Sequence, residues 1–167
     1  MTTIEEKAKK IKLLAFDVDG VMTDGGIIYT EDGKEIKRFN AKDGQGLTNC
    51  MKNGLIVAII TARQNGTVSN RFEYLKVPEI HQGIKNKISK LDEILKKYNL
   101  SYEEVAYMGD DLPDICILEK VGLATCPHDA VDEVKERCNF ISSKDGGRGA
   151  VRELTDLVLK AQDIKTI

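Results

Sequence analysis

Asp17 and Asp19 are the residues whose type and spacing most directly suggest chemistry. They close the apolar run Leu13-Leu-Ala-Phe16, which reads as a buried strand. Strand side chains alternate, so two carboxylates at i and i+2 emerge on one face while Phe16 and Val18 turn to the other. Gly20 follows and lets the backbone turn or approach a ligand closely. Two carboxylates crowded at the carboxyl end of a strand repel each other unless a cation or a shared proton offsets the cost. A divalent metal is the obvious partner. Alone, Asp-Val-Asp-Gly fits a polar turn better than a metal site, and the other strand ends reverse that preference.

Leu55-Ile-Val-Ala-Ile-Ile60 is a continuous apolar run, as in a central parallel strand covered on both faces, and it ends in Thr61-Ala-Arg63. Glu79–Gly83 reads as a weaker strand. Lys87 lies just beyond it, opening a helix with Ile88, Leu91, Leu95 and Tyr98 on one face. Val105–Gly109 is the next strand and runs into Asp110-Asp-Leu-Pro-Asp114. Asp17, Asp19, Thr61, Lys87, Asp110 and Asp111 thus all follow strands, where open α/β sheets bind ligands. Magnesium takes oxygen ligands, with waters and substrate phosphate filling its remaining positions. Asp17, Asp110 and the backbone carbonyl of Asp19 could supply the protein's share. Thr61 offers a hydroxyl and Lys87 a positive charge to phosphate oxygens, the placement that phosphoryl transfer needs. A carboxylate can also attack phosphorus, giving an aspartyl-phosphate. A second carboxyl then protonates the leaving alcohol and later activates water.

The remaining elements frame these positions. Ile27–Thr30 and Glu35–Phe39 look like short strands joined by Glu31-Asp-Gly-Lys34, a hairpin expected to project over the carboxylate turn. Asn40–Gly46 reads as a polar, glycine-bearing loop entering a helix around residues 45 to 53, with Gly54 just past its end. Val68, Phe72 and Leu75 have helical spacing. Ser101–Glu104 has capping-box spacing and opens a short turn. Val121–Thr125 and Asn139–Ser142 are further short strands, with a helix near Val131 to Cys138 between them. A last helix after Gly146–Gly149 carries Val151, Leu154, Leu157, Val158 and Ala161 on one face. Strands alternating with helices predict an α/β fold, a parallel sheet with helices on both faces, in a single domain over residues 1–167.

Composition narrows the function class. With 25 Lys and Arg against 27 Asp and Glu, the net charge is −2, which argues against nucleic acid or an anionic membrane as the main partner. No apolar run is long enough for a transmembrane helix, and Met1–Lys12 is a charged lead-in, helical or frayed, without a signal-peptide core. Cys50, Cys116, Cys126 and Cys138 form no CxxC pair and read as scattered buried thiols of a cytoplasmic protein. His81 and His128 are assigned to no metal.

In order along the chain, DVDGVMTDG, ITAR, a lysine before a helix, and GDDLPD resemble the haloacid dehalogenase-like phosphohydrolase superfamily, with its Rossmann-like fold. That resemblance implies Asp17 as nucleophile, Asp19 as general acid/base, Thr61 and Lys87 on the transferring phosphoryl group, and Asp110 completing the Mg2+ site with Asp111 and Asp114 in its outer shell. Only the hairpin stands where larger members carry a cap. FNAKDGQG at 39–46, ITAR at 60–63 and GGRGAVRE at 146–153 narrow the resemblance to the 3-deoxy-D-manno-octulosonate 8-phosphate phosphatase family. It implies a cytoplasmic homotetramer of lipopolysaccharide sugar synthesis, acting on an acidic sugar phosphate at a site shared between subunits. The matching substrate-contact positions are Asp19, Asn40, Ala41, Lys42, Asp43, Gly44, Arg63, Arg71 and Lys87. Phosphatases of the related nine-carbon keto-deoxy sugar share much of the pattern, and Arg63 favours the eight-carbon one. By spacing alone, Arg63 and Arg71 equally fit solvent-facing salt bridges. Signalling receivers also place strand-end Asp, Thr and Lys around magnesium, but their acidic pair comes first, whereas here DxD leads and the GDD pair comes last.

Overall fold

The protein is described by a computed structural model covering residues 2–165. In chain order the elements are α1 (Ile4–Lys9), β1 (Leu13–Phe16), β2 (Ile28–Tyr29), β3 (Glu35–Ile36), α2 (Ala41–Lys52), β4 (Ile56–Ile60), α3 (Gly66–Tyr74), β5 (Glu79–His81), α4 (Lys87–Tyr98), β6 (Val105–Met108), α5 (Ile115–Leu118), β7 (Leu123–Cys126), α6 (Asp132–Lys135), β8 (Phe140–Ile141) and α7 (Ala150–Ala161).

Six strands form one parallel sheet in the order β5-β4-β1-β6-β7-β8, and β2 pairs with β3 as a separate antiparallel hairpin. The fully apolar strands β1 and β6 need cover on both faces, and they have it. Leu14 and Phe16 pack with Leu47, Phe72, Leu154 and Val158 from α2, α3 and α7. Leu13 and Ala15 point the other way, into Leu91, Ile117 and Val134 from α4, α5 and α6. Burying one such Leu or Phe contributes roughly 1.5–3 kcal/mol, so the two cores hold the central strands rigidly. From β1 the chain crosses outward to β4 and β5, then returns to β6 on the other side of β1. This change of direction opens a crevice at the carboxyl end of β1, the usual ligand position in such sheets.

Local readings held where periodicity was strong and shifted where glycines intervened. The lead-in is a helix, with Thr3 and Glu6 forming a capping box. Gly54 lies just past the end of α2 with φ of +83°. The helix expected around residues 45 to 53 begins at Ala41 instead, because Asn40 caps it by accepting the Lys42 N–H. Gly44 and Gly46 therefore serve close packing within the helix. A Cβ at Gly44 would stand 2.3 Å from Arg71 Nη2, and one at Gly46 would stand 2.3 Å from Thr155 Oγ1. The hairpin strands are shorter than expected, two residues each, since only Ile28–Ile36 and Tyr29–Glu35 pair. The fifth strand of the sheet order, β7, runs from Leu123 to Cys126 rather than from Val121 to Thr125. The strand read over 139–142 shortens to Phe140–Ile141, and the helix read over 131–138 to Asp132–Lys135. Cys116 is exposed, against the expectation of a buried thiol. No described helix is long and apolar enough to cross a membrane.

Candidate active site

Asp17, Thr61 and Asp110 follow the carboxyl ends of β1, β4 and β6, three adjacent strands in register. The sheet alone therefore brings together residues separated by up to 93 positions, counted from Asp17 to Asp110. They line a cleft of about 260 Å³ with Asp19, Arg63, Lys87, Asp111 and Asp114. Gly20 closes the turn after the Asp-x-Asp pair with φ of +84°, and a Cβ there would lie 1.9 Å from Asp110 Oδ2. Only glycine allows both the turn and this approach of the two loops.

Lys87 opens α4 behind its Asn86 cap and is 3% exposed. Its Nζ donates to Asp114 Oδ1 at 2.7 Å and lies 3.0 Å from Asp17 Oδ1. Burial pushes the Lys87 pKa down, but the Asp114 and Asp17 carboxylates outweigh it and the net shift is upward. The ammonium is therefore a fixed positive charge beside Asp17 Oδ1. Asp114 is 1% exposed and fully engaged. Its Oδ1 accepts from Lys87 and from the Tyr107 hydroxyl at 2.6 Å, and its Oδ2 accepts from the N–H groups of Asp110 and Asp111 at 3.0 and 3.3 Å. It braces the loop that carries Asp110. Asp111 is exposed, and its Oδ1 accepts the Leu112 N–H at 2.8 Å.

One oxygen each from Asp17, Asp110 and Asp114 lies within 4.8 Å of the others. Asp110 Oδ1 is buried without a hydrogen-bonding partner. An orphaned, buried carboxylate oxygen facing a second carboxylate fits a hard divalent cation such as magnesium. Burial, and next the charges of Asp17 and Asp114, push Asp110 up to about 8. Burial, and next Asp114, push Asp17 up to about 6 despite the opposing Lys87. Both groups hold protons when folded that they release when unfolded, so in metal-free protein each subtracts stability as pH rises above the ordinary carboxylate range. Asp110→Asn in chelator is therefore expected to melt above the unaltered protein at pH 8.5, by on the order of 5 °C at 2–4 °C per kcal/mol. The gap should narrow toward pH 4.5, and magnesium should stabilise the unaltered protein more than the variant. Thermal melts across this range check it, and a gap independent of pH would contradict the crowding of charge.

The hairpin reaches the cleft, and sequence reasoning missed the residues it sends there. Lys37, just past β3, has a side chain only 1% exposed, and its Nζ donates to Asp19 Oδ1 at 2.5 Å and to Glu35 Oε1 at 2.8 Å. The other oxygen of Glu35 accepts from Arg63 Nη2 at 2.7 Å. The available signal was the alternation of Glu35 and Lys37, which puts both on one face of the hairpin, with Ile36 on the other and 46% exposed.

The remaining expected substrate positions lie elsewhere in the single chain. Asn40, Asp43, Gly44 and Arg71 line a cavity of about 10 Å³ between α2 and α3, separate from the cleft lining. Asp43 is 2% exposed, and its Oδ1 accepts the Arg152 N–H at the start of α7 at 2.9 Å. Burial outweighs the Arg152 and Gly149 N–H groups and raises its pKa. Asn40 Nδ2 donates to Gly147 O at 3.2 Å, while Ala41 and Lys42 are exposed. Gly147 in turn donates its N–H to Val21 O at 2.9 Å, so the Gly146–Gly149 segment packs on the turn after β1.

A sequence profile of haloacid dehalogenase-like hydrolases matches residues 78–154. The chain is 42% identical over 161 residues to the 3-deoxy-D-manno-octulosonate 8-phosphate phosphatase of Salmonella typhi, covering 96% of this chain and 86% of that one. The corresponding phosphatase of Moraxella catarrhalis, solved with magnesium ion, phosphate ion and KDO, superposes with a TM-score of 0.94 at 41% identity, over 96% of this chain and 92% of the other. The Yersinia pestis phosphatase gives 0.94 at 39% identity, over 96% and 86%.

Proposed function

The chain belongs to the haloacid dehalogenase-like hydrolases, and we propose on that premise that it is a magnesium-dependent phosphatase of 3-deoxy-D-manno-octulosonate 8-phosphate. The products are the free eight-carbon acid sugar and inorganic phosphate. The observation that carries this reading is the meeting of Asp17, Asp19, Thr61, Lys87 and Asp110 in one cleft at three adjacent strand ends.

Asp17 is the nucleophile. As its carboxylate oxygen bonds to phosphorus, the bond from phosphorus to the sugar oxygen breaks, and Asp19 delivers a proton to the leaving alkoxide. Asp19 then takes a proton from water as that water attacks the phosphorus, and phosphate leaves as Asp17 is restored. Lys87 holds Asp17 Oδ1 and meets the phosphoryl oxygens together with Thr61. The carboxylates of Asp17 and Asp110 and the backbone carbonyl of Asp19 would hold the magnesium ion. When bound, it neutralises charge on the transferring phosphoryl group and on the carboxylates around it.

The sugar carboxylate requires a cation away from the phosphate. Arg63, 41% exposed at its side chain on the cleft wall, is placed for this and at present holds Glu35. Arg71 and Asn40–Gly44 are assigned to the same substrate by way of an assembled homotetramer, in which one subunit completes the site of another. Two features support the assembly. Ile27, Ile28, Tyr29 and Ile36 expose 46%, 49%, 60% and 46% of their surface on a two-stranded hairpin, which is marginal alone. The cleft of about 260 Å³ also falls short of the ordinary small-molecule site. The free thiols fit a reducing compartment, and we place the reaction in the cytoplasm. A monomer by light scattering at micromolar concentration, with full activity, would refute the shared site.

The substrate test is a selectivity measurement. An arginine–carboxylate hydrogen bond contributes roughly 1.5–3 kcal/mol, so Arg63→Ala is expected to lower kcat/KM on the acidic sugar phosphate by roughly 10- to 150-fold. On a neutral sugar phosphate, whose alcohol is an equally poor leaving group but which lacks that carboxylate, the loss should be far smaller. Equal fractional losses on both would mean that Arg63 serves the phosphoryl group or the fold.

A further inference from the structure

We propose that Lys37 is a positioning residue for Asp19, fixing which of its carboxyl oxygens faces the leaving group. The inference rests on the reading of Asp19 as general acid and goes beyond it, since nothing in the sequence motifs assigns Lys37 a role.

Asp19, Lys37, Glu35 and Arg63 form a chain of alternating charge that begins and ends on the cleft lining. Lys37 grips Asp19 through Oδ1, which leaves Oδ2 as the oxygen available to the cleft that Asp19 lines. A carboxyl held by one oxygen has its plane fixed, and the other oxygen then points one way. Without the ammonium, the carboxyl turns about its last torsion, where the energy wells are broad. Lys37 is itself held. Its side chain is 1% exposed, and Glu35 Oε1 accepts a second hydrogen bond from it. Glu35 is anchored in turn by Arg63, which is set by the strand end of β4. The hairpin, with its apolar outer face, thus delivers a buried cation to Asp19 and is tied to the sheet through Arg63. The step served is proton delivery from Asp19 Oδ2 to the sugar oxygen as its bond to phosphorus breaks. In the second half-reaction, the same oxygen takes the proton of the attacking water.

A misplaced proton donor penalises poor leaving groups and spares good ones. The experiment measures kcat/KM of the full chain with magnesium on p-nitrophenyl, phenyl and alkyl phosphates and on the sugar phosphate. This parameter covers steps up to release of the alcohol, before water enters. In Lys37→Met, the alkyl and sugar esters are expected to lose about 100-fold, the scale of a misplacement of about 1 Å. The p-nitrophenyl ester should lose least, so the dependence on leaving-group pKa steepens. Lys37→Arg should bring the steepened slope part of the way back to that of the unaltered protein. Glu35→Gln leaves Lys37 in place but loosens it, and should steepen the slope less, which keeps the test available if Lys37→Met does not fold. A common loss across all esters, with unchanged slope in the folded variants, would overturn the proposal and leave Lys37 as a support of the hairpin. Asp19→Asn separates the two readings. If it leaves the slope unchanged, the assignment of Asp19 fails. If it steepens the slope while Lys37→Met and Glu35→Gln do not, only the positioning role fails.

Discussion

Asp17→Asn is expected to yield a folded protein whose turnover has fallen by 10⁴-fold or more, on the order of losses seen when a nucleophile is removed. The amide keeps the shape of the carboxyl and removes the oxygen proposed to attack phosphorus. The fold should not suffer, and the reason lies in the electrostatics. Burial and the neighbouring Asp114 push the Asp17 carboxyl up to about 6, so its charged form is disfavoured in the metal-free protein. A neutral isostere relieves that cost above pH 6. In chelator the variant is therefore expected to melt no lower than the unaltered protein at pH 8. Steady-state turnover and thermal melts check both halves. Near-normal turnover, with mass spectrometry confirming Asn at position 17, would remove Asp17 from the chemistry.

Loss of the metal should be comparably severe. Chelation is expected to abolish turnover, and magnesium to restore it. Asp17, Asp110 and a phosphate dianion otherwise meet in a cleft where one carboxylate oxygen of Asp110 already lacks a partner. Lys87 cannot offset that charge alone, because its ammonium is shared between Asp17 and Asp114 at 3.0 and 2.7 Å. Calcium should restore activity poorly, since its longer and looser coordination misplaces the attacking oxygen. Activity measured after dialysis against chelator, then with each ion added back, decides this. Full turnover in chelator would contradict the metal-dependent reading.

How much of the site could be read from the sequence follows from where each residue gets its position. Asp17, Thr61 and Asp110 were legible because an apolar strand marks its own end, and a parallel sheet places adjacent strand ends together. Lys87 was legible for a related reason: it opens a helix directly after a strand. Lys37 and Glu35 were not. Their roles depend on Asp19 and Arg63, 18 and 28 positions away respectively, and alternation within the hairpin shows that they share a face without showing which side chains they meet. The start of α2 was misplaced because Gly44 and Gly46 look like loop residues. Their reason for being glycine is the close approach of Arg71 and Thr155 from α3 and α7. Asp43 gave no sign that its carboxylate would be buried against the first turn of α7, since Arg152 lies 109 positions further on. Tertiary contacts decided each of these against local preference.

The central claim is that phosphate passes through a covalent bond to Asp17. Rapid acid quench of the enzyme during turnover of substrate labelled in its phosphate, followed by peptide mapping, tests it most directly. The expected result is an acyl phosphate, stable in acid and cleaved by hydroxylamine, on the peptide containing Asp17 and absent from Asp17→Asn. Turnover with no label on the protein at any quench time, or label on another residue, would contradict it.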